Sequence, residues 1–160
     1  MEFNFLAILV AAISSLVVGS IWYNPKVFGT IWMREAGLIQ EELQKGNMLK
    51  ILGLGLIFAF LLALMMQFVV IHQFGAMGMI GGDPTKALPS YTAFMADYST
   101  AFRTFKHGAF HGTLTGVLLA TPIIAINGLF ERKSWKYTMV HCGYWILTLA
   151  IVGGIVCGWV

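Results

Sequence analysis

The sequence predicts an all-α integral membrane protein, a bundle of four membrane-spanning helices. Of its 160 residues, 58% are hydrophobic and 11% are charged, an apolar excess too large for a soluble domain of this size. The apolar residues also fall into runs at about residues 3–22, 48–72, 106–130 and 137–160. Each run is long enough for a helix to cross a bilayer. We therefore expect a single transmembrane domain over residues 1–160.

The first span is expected to be retained in the protein, because its early charge is Glu2 rather than the cations that open a signal peptide. Small residues recur at every fourth position of this span. They predict a face on which another helix packs closely: Ala7, Ala11, Ser15 and Gly19. Pro25 ends the span, because proline disfavours a helical conformation at the preceding residue.

The connection between the first two spans predicts short helices near the membrane surface. Residues 27–36 place several apolar side chains on one face, which is typical of an interfacial helix ending at Gly37. A short polar helix is predicted over residues 39–45, with a stop at Gly46. In the second span, Gln67 shares a spacing of four with small residues, so its amide is predicted to point into protein.

The second connection, residues 74–104, combines turn signals with a helical pattern. Gly81 to Pro84 and Pro89 mark turns. Beyond Ser90, large apolar residues recur at helical spacing and predict an amphipathic helix before the third span: Tyr91, Phe94, Met95, Tyr98, Phe102 and Phe105.

The third span begins with two adjacent stripes. One stripe is glycine, at 108, 112 and 116, and permits close approach of a second helix. The other brings His107, His111 and Thr115 next to that contact. Pro122 predicts a kink that frees a carbonyl near Leu118. In the fourth span, Gly154 and Gly158 form another close-packing pair.

The distribution of Lys and Arg predicts the orientation. Seven cations lie in or next to the first and third connections, whereas three lie in or next to the second: Lys26, Arg34, Lys45, Lys50, Arg132, Lys133 and Lys136 against Lys86, Arg103 and Lys106. Because cytoplasmic loops carry the excess of positive charge, we expect both termini and residues 74–104 to be extracytoplasmic.

Three motifs resemble a known family. They are Trp22-Tyr23-x-Pro25-x-x-Phe28-Gly29-x-x-Trp32, Asn127-x-Leu129-Phe130-Glu131 and Gly143-Tyr144-Trp145. Together they are similar to a family of small bacterial membrane proteins known as a domain of unknown function, with four predicted spans. The resemblance implies the fold and a location in the bacterial inner membrane, but no reaction or ligand. The second connection is longer than the resemblance leads us to expect.

The first candidate site is a histidine cluster. With four antiparallel spans, His72 at the end of the second span meets His107 and His111 at the start of the third. Such a set can bind zinc or copper, or ligate a haem between helices, with Met77 and Met79 as soft ligands for Cu(I). The alternative, which the sequence favours, is that these histidines hydrogen-bond to backbone or to Asp97, or lie among the headgroups.

Two further sets lie toward the other side. Asn127, Glu131 and His141, with Tyr144 nearby, are candidates for a proton relay, or else for helix capping and interfacial anchoring. The aromatic residues of the first motif are candidates for a lipid-headgroup or quinone pocket, although interfacial anchoring is the simpler interpretation: Trp22, Tyr23, Phe28 and Trp32.

Three functions remain open. The sequence favours a non-enzymatic homo-oligomer that forms a passage or cavity for a small solute or ion. The alternatives are a metal- or haem-binding membrane component and an accessory subunit of a larger membrane complex. An enzyme that modifies lipids or thiols stays open, but no nucleophile–base pair supports one, so the sequence favours a protein without enzyme activity. We expect no nucleic-acid partner, since there is no basic run. Cys142 and Cys157, 15 positions apart on one predicted helix, are too distant to pair.

Overall fold

The computed structural model describes residues 3–160, and all regular structure in that range is helical. In chain order the α-helices are α1 (Phe5–Trp22), α2 (Thr30–Ala36), α3 (Gln40–Gln44), α4 (Met48–Val70), α5 (Gln73–Met79), α6 (Pro89–Tyr98), α7 (Phe105–Thr115), α8 (Thr121–Phe130) and α9 (Trp135–Gly158). Two π-helical turns, Pro25–Gly29 and Gly116–Ala120, and a 3-10 turn, Pro84–Lys86, complete the regular structure of this range.

Within the described residues, four helices are long and apolar enough to cross a membrane. They are α1, α4, the continuous helix Phe105–Phe130 made by α7, the second π-helical turn and α8, and finally α9. We refer to them as the first to fourth spans. The predicted all-α, four-span membrane fold is therefore confirmed, and the protein is a multi-pass membrane protein. Glu2, on which the retention of the first span was argued, lies outside the described residues.

The fourth span is the central helix of the bundle, because the other three spans all pack against it. The buried core joins apolar residues of the first, second and fourth spans: Ile8, Ala11, Ala63, Met66, Val70, Leu149, Val152 and Val156. In a bilayer these side chains gain little from leaving lipid. The bundle is therefore held mainly by close van der Waals packing and by hydrogen bonds between helices.

The glycine stripe of the third span packs on the fourth span within the same chain. A Cβ atom at Gly108 would lie 2.7 Å from the carbonyl carbon of Gly153, and one at Gly112 would lie 2.6 Å from the carbonyl carbon of Leu149. At Gly116 the nearest atom would be Cα of Ile146, also at 2.6 Å. Since real Cβ atoms do not come this close to backbone, the approach of the two helices requires glycine at these positions.

The other small-residue positions also face neighbours within the chain. Ala7, Ala11 and Ser15 are buried in the bundle, and a Cβ atom at Gly19 would lie 3.6 Å from the Tyr144 ring.

Phe105 covers the glycine pair of the fourth span, Gly154 and Gly158. A Cβ atom at Gly154 would lie 2.6 Å from the Phe105 ring, and one at Gly158 would lie 2.6 Å from the backbone nitrogen of Phe105.

The amide of the second span lies inside the protein as predicted, because Gln67 is 1% exposed.

The distortion expected at Pro122 takes the form of a π-helical turn. Over Gly116–Ala120 the helix widens, and the backbone N–H of Thr121 donates to the carbonyl of Gly116, five residues earlier. The Thr121 hydroxyl donates to the same carbonyl at 2.9 Å. The wider turn makes room for the proline ring. The Thr121 side chain therefore acts at the carbonyl of Gly116, six residues before Pro122. The expected free carbonyl near Leu118 stays a prediction.

The first connection folds into two short helices and is tied to the third connection. The predicted interfacial helix is present, but it begins with the π-helical turn Pro25–Gly29 before α2. Gly37 ends α2 in the left-handed conformation, with a φ of 72°. The carboxylate of Glu35 accepts a hydrogen bond of 2.6 Å from the Ser134 hydroxyl. The first and third connections therefore lie on the same side of the bundle.

The second connection differs from its predicted form in two places. The turn-rich stretch contains a helix, Gln73–Met79, before the predicted turn at Gly81 and Gly82, where φ is positive. The amphipathic helix ends at Tyr98, although the aromatic stripe continues to Phe105. Two polar side chains explain this break. Gln73 donates to the carbonyls of Tyr98 and Ala101, and Thr104 accepts from the backbone of His107 to begin the third span.

These contacts define two sides of the bundle. We call the side that carries residues 71–104 and the end of the fourth span the histidine side. Arg103 joins these two parts, because its guanidinium donates to the carbonyls of Cys157 and Trp159 at 2.9 and 3.0 Å. We call the side that carries residues 23–47 and 131–134 the tyrosine side.

Candidate metal site and the tyrosine-side cluster

Three imidazoles converge on the histidine side. His72 comes directly after the extended Ile71 that ends the second span. His107 lies in the first turn of the third span, where the Thr104 side chain accepts from its backbone N–H at 3.2 Å. His111 follows one turn later on the same face of the helix. The antiparallel pairing of the second and third spans therefore brings the three rings to one place.

The separations among these rings are short. The Nε2 atoms of His72 and His107 lie 2.9 Å apart. The centroid of the His111 ring lies 5.0 Å from that of His72 and 4.4 Å from that of His107. One nitrogen from each ring lies within 4.8 Å of the other two. His72 is exposed and the other two histidines are half-buried, so the cluster opens at one edge.

The neighbouring residues hold the two helical histidines in place. The Phe102 ring stacks on His107 with 5.1 Å between centroids and 28° between planes. Phe110 meets the edge of His111 at 5.5 Å. Gly108 and Gly112, which alternate with the histidines, fix the helix against the fourth span. The ligand geometry thus depends on the same helix contact as the fold.

The spacing of the three nitrogens suits one tetrahedral metal ion. Zinc binds imidazole nitrogen at about 2.0–2.1 Å, which places two tetrahedral ligands roughly 3.3 Å apart. The observed 2.9 Å between two of the nitrogens and the limit of 4.8 Å for the set bracket that value. Small side-chain rotations would therefore bring all three nitrogens onto one ion, with a fourth position left for water or another ligand.

The other cofactors considered for this cluster fit less well. Two histidines that ligate a haem from opposite faces need roughly 4 Å between their nitrogens, twice a metal–nitrogen distance, and the porphyrin must pass between them. At 2.9 Å, His72 and His107 leave no such gap. For a Cu(I) site, Met77 is already engaged, because its sulfur accepts from the Tyr91 hydroxyl at 3.4 Å. Met79 is 89% exposed.

The proposed relay residues lie around one groove on the tyrosine side. Asn127, Glu131 and His141 all line this groove of about 210 Å³. Among the described residues it is the Tyr23 hydroxyl, not Glu131, that pairs with His141, at 2.9 Å from Nδ1. The Nε2 atom of His141 is buried and has no hydrogen-bond partner within residues 3–160, so one imidazole nitrogen beside the groove is left unpaired.

The aromatic residues of the first motif join the same cluster. The Tyr23 ring lies 5.3 Å from Tyr144 and 5.1 Å from Trp32. The Trp22 indole donates to the carbonyl of Val140 at 3.0 Å. Burial raises the pKa of the Tyr23 phenol well above its usual value, so this hydroxyl keeps its proton. These side chains contact the fourth span, a role beyond anchoring at the headgroups.

Two glycines make this junction possible. A Cβ atom at Gly29 would lie 2.7 Å from the carbonyl carbon of Asn24, and one at Gly143 would lie 2.7 Å from the Trp22 ring. The first and third of the three sequence motifs are therefore two halves of one tertiary contact. Sequence reasoning treated the relay residues and the aromatic residues as separate sets and missed the bond between Tyr23 and His141. The shared occurrence of the motifs was the signal that could have joined them.

Comparison with protein families gives one match. A family model described as a protein of unknown function, DUF1761, matches residues 6–157. Comparisons with curated proteins and with solved structures find no match.

Proposed function

The chain belongs to the DUF1761 family of proteins of unknown function, and we propose that this multi-pass membrane protein binds a transition-metal ion through His72, His107 and His111. The observation that carries the proposal is the convergence of three imidazole nitrogens within 4.8 Å of one another. Two of them come from successive turns of one helix, and the third comes from the end of another span.

Among the transition-metal ions, we propose zinc as the one that the three imidazole ligands bind. Neutral imidazole suits zinc, copper, iron and nickel, whereas Cu(I) prefers sulfur ligands. The sulfur of Met77 bonds to Tyr91 instead. Three protein ligands with an open fourth position allow an ion to exchange with water or with a carrier. The corresponding role is binding and transfer of the ion at the membrane surface, and not a permanently closed structural site.

The charge distribution supports an extracytoplasmic location for this site. The tyrosine side and its adjoining turns hold seven of the ten cations, and the histidine side holds three. By the positive-inside rule the tyrosine side would face the cytoplasm of a bacterial inner membrane, with both termini and the histidines outside.

A cysteine-labelling experiment tests the orientation. Lys86→Cys and Lys136→Cys place exposed thiols on opposite sides, while Cys142 and Cys157 are buried and give little background. A membrane-impermeant maleimide applied to intact cells should label the first variant and spare the second. Labelling of the second variant alone would show that the protein has the opposite orientation.

A homo-oligomeric passage has less support from the contacts. Its motivation was the set of small-residue stripes, and the stripes at Gly108, Gly112 and Gly116 and at Gly154 and Gly158 are occupied by neighbours within the chain. The same contacts weaken the case for an accessory subunit that docks through those glycines. Each of these hypotheses would now need another surface for assembly.

Metal binding can be measured on protein purified in mild detergent. After removal of metal with a chelator, titration with Zn²⁺ should saturate at one ion per chain. Co²⁺ should give the intense visible absorption of a tetrahedral site. His107→Gln with His111→Gln should reduce affinity by roughly 100-fold or more, since even changes outside the ligand shell cost 10- to 100-fold.

The fourth histidine provides the matched control. His141→Gln removes the same kind of ligand, but on the tyrosine side, and should bind Zn²⁺ as the unmodified protein does. Saturation that persists in the double variant, or no binding in the unmodified protein, would refute the proposal.

A further inference from the structure

The tyrosine-side groove continues into an apolar crevice. The crevice has a volume of about 310 Å³ and is lined by residues of the second, third and fourth spans. Ile124 and Trp145 line both the groove and the crevice. The two spaces therefore adjoin, with a polar end near the membrane boundary and an apolar end within the spans.

The polar end offers groups of opposite hydrogen-bonding character. Glu131 and Asn127 supply acceptor oxygens on one wall. On the opposite helix, Nδ1 of His141 is taken by Tyr23 and Nε2 has no partner among the described residues. If the tyrosine proton occupies the bond to Nδ1, the Nε2 atom carries the ring hydrogen and can donate to an oxygen. Tyr137 also lines the groove, and the Lys133 ammonium lies 5.3 Å from the centre of its ring.

We propose that the groove and crevice together bind one phospholipid with a primary ammonium headgroup, such as phosphatidylethanolamine. The ammonium meets the Glu131 carboxylate and the Asn127 carbonyl oxygen. After a small rotation of the His141 ring brings its buried Nε2 atom to the groove, a phosphate or ester oxygen accepts from it. One acyl chain lies in the crevice past Leu119 and Ile123. This assignment uses the unpaired imidazole nitrogen, both wall chemistries and the continuity of the two spaces.

The occupant is a lipid rather than a free amine because only a lipid fills the apolar space. The crevice wall is essentially without polar surface, and a small polar amine would leave it uncovered. The second π-helical turn, which includes Leu119 and Ala120, forms part of this wall. Widened turns of this kind are frequent at functional sites.

Native mass spectrometry of delipidated protein tests the assignment. The protein is offered equimolar phosphatidylethanolamine, phosphatidylcholine and phosphatidylglycerol with matched acyl chains. We expect each protein molecule to retain one phosphatidylethanolamine. Glu131→Gln and Asn127→Leu should each lower this preference, Glu131→Gln by roughly fivefold to tenfold, because a charge-assisted hydrogen bond is lost. Glu42→Gln is the matched control, since Glu42 is exposed on the same side but outside the groove.

Three results would overturn the proposal. Equal retention of the three lipids would show that the protein binds the acyl chain and does not recognise the headgroup. A lipid preference unchanged in both groove variants would place the headgroup elsewhere. Displacement of the lipid by millimolar free ethanolamine would assign the groove to a small amine. Zinc titration of the same variants should be unaffected, so the outcome is independent of the metal site.

Discussion

The replacement Gly112→Ala is the sharpest test of how the bundle is held. A Cβ atom at this position would lie 2.6 Å from the carbonyl carbon of Leu149, whereas ordinary contacts begin near 3.4 Å. The carbonyl oxygen of Leu149 lies closer still, so the third and fourth spans would have to separate by at least roughly 0.8 Å at this point, which forfeits much of the dispersion energy of the atoms on either side. The clash is with backbone, so no side chain can rotate out of the way.

The cost can be separated from helix propensity by a control. Overpacking typically costs about 1–3 kcal/mol, and we expect a backbone clash to place the cost of Gly112→Ala at about 3 kcal/mol. Alanine recovers up to about 1 kcal/mol because it favours a helix over glycine, which leaves a net loss of about 2 kcal/mol. Gly53→Ala, in the second span, meets open space and should show only the gain.

Unfolding in mixed micelles of increasing SDS content measures the free energy of both variants by circular dichroism. We expect Gly112→Ala to unfold at clearly lower SDS than the unmodified protein, and Gly53→Ala at the same or slightly higher SDS. Since Gly112 follows His111 directly, zinc affinity should fall in the first variant as well. Equal unfolding of the two variants would refute the close-packing argument.

Three further predictions concern contacts at the two sides. Hydrogen bonds from the Ser134 hydroxyl and from Arg34 lower the pKa of Glu35, so its contribution to stability is present above about pH 4.5 and is lost as the pH falls through the lowered pKa. The difference in Tm between the protein and Glu35→Gln should therefore close on acidification, and a constant difference would contradict this. Tyr23→Phe leaves Nδ1 of His141 unpaired and should cost about 1 kcal/mol in the SDS titration. Arg103→Gln removes two hydrogen bonds to the end of the fourth span and should speed amide hydrogen exchange there, whereas Lys86→Gln should not.

The spans were predictable because their signals are local. The length of an apolar run and the four-residue spacing of small residues are properties of a single helix, and each of the four apolar runs contains a helix long and apolar enough to cross a membrane. The break between Tyr98 and Phe105 was not predictable from the aromatic stripe. It depends on the buried amide of Gln73, which lies 25 residues before the nearer carbonyl that it binds.

The two candidate sites differ in the same respect: local spacing predicted one of them, and the other depends on residues far apart in the sequence. His107 and His111 are one turn apart, and the antiparallel order of spans placed His72 beside them, so the cluster followed from spacing and topology; metal binding itself stays a prediction. The bond between Tyr23 and His141 joins residues 118 positions apart. It depends on how Trp22 packs over Gly143, and no periodicity within either helix reports that contact.

The central place of the fourth span has a consequence for how the protein is made. A ribosome delivers the chain from its N-terminal end, so the first three spans enter the membrane before the helix on which they all pack. Until then the glycine faces of the third span have no partner, and the intermediate offers them to lipid or to other chains. Assembly of the bundle is therefore decided late, by the arrival of the last helix, and quality-control proteases would have their best opportunity just before it.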